Sequence, residues 1–230
     1  MNKYDLVILG GGPGGYNAAF RAAELGKKVA IVDDNNLGGV CLNWGCIPTK
    51  SLLKNAEAMD LINASELYGI SVKDITVDFN FIINKSVKAR QRLSRGLHHQ
   101  VKKNNIDFHA GFGTFTDKNT MIVNDISITG ETFIIATGSK PRTLPNLDAD
   151  QDKIVYAKDI FQMTSIPKSM TIIGAGAIGV EFAYFFNSFG TQVTLIEAEE
   201  TILPHEDKEV SHWVEKTFKK KKINVLTNTL

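Results

Sequence analysis

Cysteine is scarce in this chain: there are two in 230 residues, at Cys41 and Cys46. That excludes a small secreted scaffold held together by disulfides. Long apolar runs are missing as well. The first, Leu6 to Leu9, stops at a glycine cluster. It is too short for a signal-peptide core or for the roughly 20 residues of a membrane span. A surplus of one charge is also lacking. Lys and Arg number 26 against 25 Asp and Glu, a net +1, so no strong field exists to recruit nucleic acid or an anionic membrane. Histidine and cysteine do not gather at the spacing of metal ligands. These absences predict a cytoplasmic protein that keeps to the compartment where it is made, with no metal and neither nucleic acid nor membrane as partner.

What is present is an ordinary globular composition, 43% hydrophobic and 22% charged, long enough for one to one and a half domains. Asp5 to Leu9 reads as a short buried parallel strand ended by glycine. Pro13 to Leu25 reads as a helix with an alanine-rich face, and Lys28 to Val32 as a second buried strand, completing a βαβ unit. Cys46 to Tyr68 is mostly helical, with an early interruption at Pro48. Phe79 to Lys103 is a long helix, with Ile83, Val87, Leu93, Leu97 and Val101 near helical spacing. Beyond Ile106 the period shortens. His109–Phe115, Met121–Val123, Ile126–Thr129 and Glu131–Ala136 read as short strands, a small antiparallel β insertion. A breaker-rich stretch from Gly138 to Pro145 follows, with a domain boundary near Ala149. Met170–Ile173, Ala177–Phe189 and Gln192–Ile196 repeat the strand–helix–strand order. Asp207–Lys221 is a further helix and Ile223–Leu226 a third strand. The lysines at 219 to 222 read as a solvated helix end.

Both βαβ units carry a glycine motif. Gly10, Gly12 and Gly15 form G-x-G-x-x-G between a strand and a helix. The first glycine permits the turn, the second lets the backbone approach a pyrophosphate, and the third lets helix and strand pack closely. The helix N-terminus then presents unpaired N–H groups to the phosphates. Asp33 closes the second strand, where a carboxylate binds ribose hydroxyls. Gly174, Gly176 and Gly179 repeat the motif, with Glu197 at the equivalent strand end. A carboxylate there accepts from a ribose 2′-hydroxyl and repels a 2′-phosphate, which favours NAD over NADP. The fold class expected is therefore α/β, with two Rossmann-like dinucleotide-binding units. Residues 1–149 form the first domain. Residues 150–230 form the second, which ends after its first half.

Between these motifs lies Gly38-Gly39-Val40-Cys41-Leu42-Asn43-Trp44-Gly45-Cys46-Ile47-Pro48-Thr49-Lys50. Two cysteines five apart, one in a glycine-rich turn and one opening a helix, can close a small disulfide ring. The helix N-terminus and a nearby cation, for which Lys50 is the candidate, would favour the Cys46 thiolate. Spacing alone also leaves open a pair of inert buried cysteines.

The run CLNWGCIPTK resembles the redox signature of the pyridine nucleotide–disulfide oxidoreductases, and within them the dihydrolipoamide dehydrogenase form. The supporting motifs occur in the family's order along nearly the whole chain. The resemblance implies that Gly10, Gly12, Gly15 and Asp33 bind FAD, although the acid is usually glutamate there. It adds Gly38, Gly39, Lys50, Gly113 and the Ala136-Thr137-Gly138 segment to that set. Gly174, Gly176, Gly179 and Glu197 fall to NAD. Cys41 is implied to be the interchange thiol and Cys46 the charge-transfer thiolate, with Lys50 paired to Glu181 beside the flavin. Electrons would pass from dihydrolipoamide, carried on a lipoyl domain of a 2-oxo acid dehydrogenase complex, through the cysteine pair and FAD to NAD⁺. The family also uses a histidine–glutamate base in a C-terminal dimerisation domain of a homodimer. That domain is absent from these residues, so the chain is expected to be an N-terminal half, inactive alone. His98, His99, His205 and His212 are read as no substitute for that base. Two other readings remain at this point: another NAD(P)H-dependent flavin disulfide reductase, or a non-catalytic nucleotide-binding module.

Overall fold

The computed structural model describes residues 2–34, 36–145, 147–150 and 152–230. The chain separates into two compact units. One comprises residues 1–48 and 87–158, the other 49–86 and 159–230.

The first unit is built on a six-stranded sheet in the order β3-β2-β1-β6-β5-β4. Its strands are β1 (Asn2–Leu9), β2 (Val29–Asp33), β3 (Asp107–Ala110), β4 (Gly113–Asp117), β5 (Thr120–Val123) and β6 (Ile126–Ile135). The first three and β6 run parallel, and β4, β5 and β6 form an antiparallel meander continuous with them. Residues Val29 to Val32 are buried along both faces, as a central parallel strand requires. Successive strand residues point to opposite faces, so two cores form. Ile8, Val29 and Ile31 pack with Ala19 of helix α1 (Pro13–Glu24), Val101 and Ile106. Val7, Ala30 and Val32 pack with Met121, Val123 and Ile128. Tyr4, in the second core, donates its hydroxyl to Asp107 Oδ2 at 2.8 Å, with His109 Nε2 at 3.0 Å. Burial, and then the bond to Asp107, push this phenol well above its usual range.

Three local readings are corrected. Ile126 to Ile135 is one strand, because β6 pairs with β1 from Asn2↔Ile128 to Leu9↔Ile135. Pro48 does not interrupt α3 (Cys46–Asn63). It is the third helical residue, where the missing N–H has no intrahelical partner to lose. Cys41 lies within a short helix, α2 (Gly39–Trp44), instead of a turn.

The second unit carries a three-stranded parallel sheet, β7 (Ser169–Ile173), β8 (Gln192–Ile196) and β9 (Asn224–Leu226), in that order. Helix α5 (Ala177–Ser188) buries Phe182, Phe185 and Phe186. Helix α6 (Lys208–Lys220) is capped by Asp207, whose carboxylate accepts from Glu209 N at 2.8 Å. The long α4 (Phe79–Lys103) begins in this unit and continues into the first. No helix among the described residues is long and apolar enough to cross a membrane.

The lysine run at the end of α6 is not simply solvated. Lys219 pairs with Glu215 at 2.6 Å, and Lys221 donates to Asp60 Oδ2 at 2.7 Å. Tyr184 donates to the same oxygen at 2.9 Å, and Lys221 lies 5.2 Å from the centre of its ring. Burial pushes the Asp60 carboxyl up, but the bonds from Lys221 and Tyr184 outweigh it and hold the group below the usual carboxylate range. Burial and the bond to Asp60 push the Tyr184 phenol up to about 12. A depressed carboxyl stabilises the fold above its unfolded pKa, and that contribution vanishes as pH falls through the folded value. Asp60→Asn should therefore cost about 1 kcal/mol near neutral pH, allowing for partial exposure. Its deficit against wild type should shrink steadily below about pH 4 in denaturant unfolding. A deficit independent of pH would mean that the charge does not stabilise this cluster.

Candidate dinucleotide loops and redox pair

The two glycine loops have the same internal geometry. Gly10 and Gly174 both adopt positive φ, 109° and 96°, a region L side chains avoid. Their N–H groups bond back to the next strand, Gly10 to Val32 O at 2.7 Å and Gly174 to Ile196 O at 2.8 Å. Gly12 and Gly176 are the N-caps of α1 and α5, with φ/ψ of −74°/−175° and −69°/−177°. Gly15 and Gly179 lie beneath the carbonyls of Gly10 and Gly174, where a Cβ would collide with the carbonyl oxygen.

In each loop the middle residue is held by the strand-end acid. Gly11 N donates to Asp33 Oδ2 at 2.5 Å, and Ala175 N to Glu197 Oε2 at 2.7 Å. Glu197 Oε1 also accepts from Glu199 N at 3.1 Å. The carbonyl of the same middle residue accepts from a later segment. Gly38 N reaches Gly11 O and Leu203 N reaches Ala175 O, both at 2.8 Å. Neither α1 nor α5 has an acidic residue in its first turn or a side-chain cap. Their leading N–H groups and positive dipole ends are thus left for an anion. A pyrophosphate fits such a cradle.

The remaining residues named from the sequence fall as follows. Ala136 N donates to Leu9 O at 2.7 Å, which sets Ala136, Thr137 and Gly138 beside the first loop at the carboxyl end of β1. Sheet order reverses there between β1 and β6, the crevice where parallel sheets bind ligands. Gly113 opens β4, where an added Cβ would come within 2.8 Å of Leu9 Cδ1. Gly38 and Gly39 have φ of 106° and 58°, and a Cβ on Gly39 would press to 2.7 Å from Gly12 Cα. The cysteine turn is thereby seated on the first glycine loop.

Cys41 lies in α2, half-buried, and Cys46 opens α3, exposed. Lys50 follows Cys46 by one helical turn, and its Nζ lies 2.5 Å from Glu181 Oε1 on α5. Sequence reasoning passed over Asn43, between the cysteines. It is buried, and its amide donates to Asn36 O, Leu37 O and Gly39 O at 3.2, 3.2 and 3.0 Å. Its own carbonyl accepts from Arg90 Nη1 at 3.1 Å. A polar residue inside an otherwise apolar turn was the one available signal. His98 and His99 are exposed, and the His98 ring meets Phe108 edge-on at 5.9 Å.

A family model described as pyridine nucleotide-disulphide oxidoreductase matches residues 4–230. The dihydrolipoyl dehydrogenase of Zymomonas mobilis is 42% identical over 233 residues, covering 99% of this chain and 50% of its own length. That of Mycobacterium tuberculosis is 44% identical over 235 residues, covering 100% and 50%. That of Acholeplasma laidlawii is 39% identical over 230 residues, covering 98% and 68%. The chain thus spans about half the length of the first two. Among solved structures, a Cu(II) complex of the HOCl-induced flavoprotein disulfide reductase RclA from Escherichia coli matches with a TM-score of 0.83. Its identity is 28%, over 100% of this chain and 50% of that one. LpdA from Mycobacterium tuberculosis matches at 0.88 with 22% identity, over 99% and 51%, and shares the fold.

The loops make a contrast that separates folding from binding. A Cβ at Gly176 meets nothing within 4 Å, whereas one at Gly179 strikes a carbonyl. Gly179→Ala should lose about 1–3 kcal/mol of stability. Gly176→Ala should stay within about 0.5 kcal/mol of wild type yet bind dinucleotide at least about ten-fold more weakly, a loss of roughly 1.4 kcal/mol. Thermal melts and a fluorescence titration with NADH read the two effects. Unimpaired binding by Gly176→Ala would remove the phosphates from this loop.

Proposed function

Because the chain belongs to the pyridine nucleotide-disulphide oxidoreductase family, we propose that it carries the redox centre of a dihydrolipoyl dehydrogenase. The reaction would oxidise dihydrolipoamide to lipoamide with NAD⁺ as acceptor. One observation carries the reading: the segment that leads into Cys41 and Cys46 is bonded through Gly38 to the first glycine loop. That arrangement sets a thiol pair beside a nucleotide cradle within one compact unit.

The residues fit the cofactors as follows. Gly10, Gly12, Gly15, Asp33, Gly38, Gly39, Gly113 and the 136–138 segment would hold FAD in a domain of residues 1–149. Gly174, Gly176, Gly179 and Glu197 would hold NAD in residues 150–230. Lys50, fixed by Glu181, would keep its charge at the flavin side one turn beyond Cys46. The flavin, when bound, supplies two-electron exchange between thiols and nicotinamide. Glu197 would accept a 2′-hydroxyl and repel a 2′-phosphate, selecting NAD.

The protein's own chemistry is thiol exchange. A thiolate of dihydrolipoamide attacks Sγ of Cys41 in the oxidised pair. The Cys41–Cys46 bond breaks and Cys46 leaves as thiolate. The second substrate thiol then attacks its neighbouring sulfur in the mixed disulfide, closing lipoamide and releasing Cys41. Two electrons and two protons pass to the pair, leaving the dithiol form. The substrate would arrive on a lipoyl domain of a 2-oxo acid dehydrogenase complex, in the cytoplasm, to a homodimeric enzyme. The match to RclA favours, as the second reading, a reductase acting on another disulfide.

Steady-state reduction of NAD⁺ by dihydrolipoamide, measured on the homodimeric enzyme that carries these residues, tests the proposal. Cys41→Ser and Cys46→Ser in the flavin-loaded enzyme should each lower kcat by at least about 10³-fold, since paired groups fail together. Undiminished turnover by Cys41→Ser would reject the exchange scheme. Faster NADH oxidation by glutathione disulfide than lipoamide would favour the second reading.

A further inference from the structure

Helix α4 carries a feature that neither the fold nor the redox pair uses. Between Asp78 and Asp107 the sequence holds no acidic residue, although the chain as a whole is charge-balanced. Lys88, Arg92, Arg95 and His99 follow one another at steps of three and four residues, and Lys102 continues the series. At 3.6 residues per turn these positions share one face, roughly 21 Å long. All five are exposed. The other side of the helix faces inward. Leu97 and Val101 pack into the core under α1, and Arg90 is bonded to Asn43 O.

This stripe works against the helix that bears it. Like charges at such spacing destabilise a helix by about 0.2–0.5 kcal/mol per pair. Among the described residues none of Lys88, Arg92, Arg95 and Lys102 forms an ion pair. The helix dipole accounts for Lys102 and Lys103 in the last turn but not for mid-helix charges, because its effect fades within a turn.

We propose that this face of α4 docks an acidic protein domain, namely the carrier that brings the dithiol to Cys41. The proposal rests on the function inferred above. The Arg90–Asn43 bond fastens the inner side of the same helix to the turn between the two cysteines. A cavity of about 340 Å³ opens between them, lined by Asn43, Trp44, Arg90, Ser94 and Arg95. Arg95, which belongs to the stripe, lines that cavity together with Asn43 and Trp44, so the stripe reaches the cysteine segment at this one point. An unneutralised cationic face attracts an acidic surface at long range and sets its orientation.

The test is a binding titration of the flavin-loaded enzyme against a lipoyl domain rich in Asp and Glu, at low and moderate salt. The variants are Arg92→Lys and the double Lys88→Gln/Arg92→Glu. The double variant places opposite charges at helical spacing, so the helix is retained. It should bind the domain at least about ten-fold more weakly at low salt and lose most of the salt dependence. Arg92→Lys should bind like wild type. Turnover of free dihydrolipoamide should be unchanged in both. An unaltered Kd and salt slope in the double variant would overturn the docking surface. Tighter binding to phosphatidylglycerol vesicles than to the domain would overturn it too. Absence of turnover of free dihydrolipoamide by the homodimeric enzyme that carries these residues instead refutes the function inferred above, and the titration still decides whether the face binds an acidic domain.

Discussion

Both glycine loops depend on one steric constraint, the seating of a glycine beneath the carbonyl that follows the preceding strand. Gly15 lies under Gly10 O and Gly179 under Gly174 O, with no room for a Cβ. Only this approach lets the chain turn from strand to helix within a few residues. The helix N-terminus then faces outward over the carboxyl end of the sheet, with its N–H groups unpaired. The direction of α1, the seat of the cysteine turn on Gly12, and the crevice between β1 and β6 all follow from that turn.

The strand-end acids hold their loops through the backbone. Asp33 and Glu197 each accept an N–H from the middle of their loop. Such charge-assisted bonds are worth roughly 1.5–3 kcal/mol. They fix both the loop and the carboxylate, so a ribose hydroxyl would meet an acceptor already oriented, which lowers the ordering cost of binding. Asp33, though shorter than the glutamate usual in the family, reaches its loop at 2.5 Å. Asn43 plays a comparable part for the cysteine turn, tying three carbonyls together from the inside.

Much of this was legible in the sequence because it is local. The glycine motifs and α4 follow from patterns within a few residues of one another, and Phe79–Lys103 is the helix the pattern outlines. Errors arose where a distant partner decides the outcome. Two strands, 126–129 and 131–136, were read where β1 pairs with β6 from Ile128 to Ile135, and Val7 and Phe133 fill the space beside Gly130. The lysines after Thr217 looked solvated because Asp60, which binds Lys221, is 161 positions away. Pro48 was misjudged for another reason: a proline breaks a helix in its interior and not in its first turn. The cationic residues of α4 were visible, yet their sharing one outward face became meaningful only once Leu97 and Val101 on the inner face were seen to pack into the core and Arg90 to bond Asn43.

The central claim is that Cys41, Cys46 and the first glycine loop form one redox centre around a flavin. The most direct measurement is the visible absorption of the homodimeric enzyme that carries these residues, loaded with FAD and recorded before and after dihydrolipoamide and again after NAD⁺. The account predicts bound flavin, a long-wavelength charge-transfer band on adding the dithiol, and return of the oxidised spectrum on adding NAD⁺. Flavin that binds but shows neither the band nor bleaching with dihydrolipoamide would contradict it, because the cysteine pair would then not exchange electrons with the flavin.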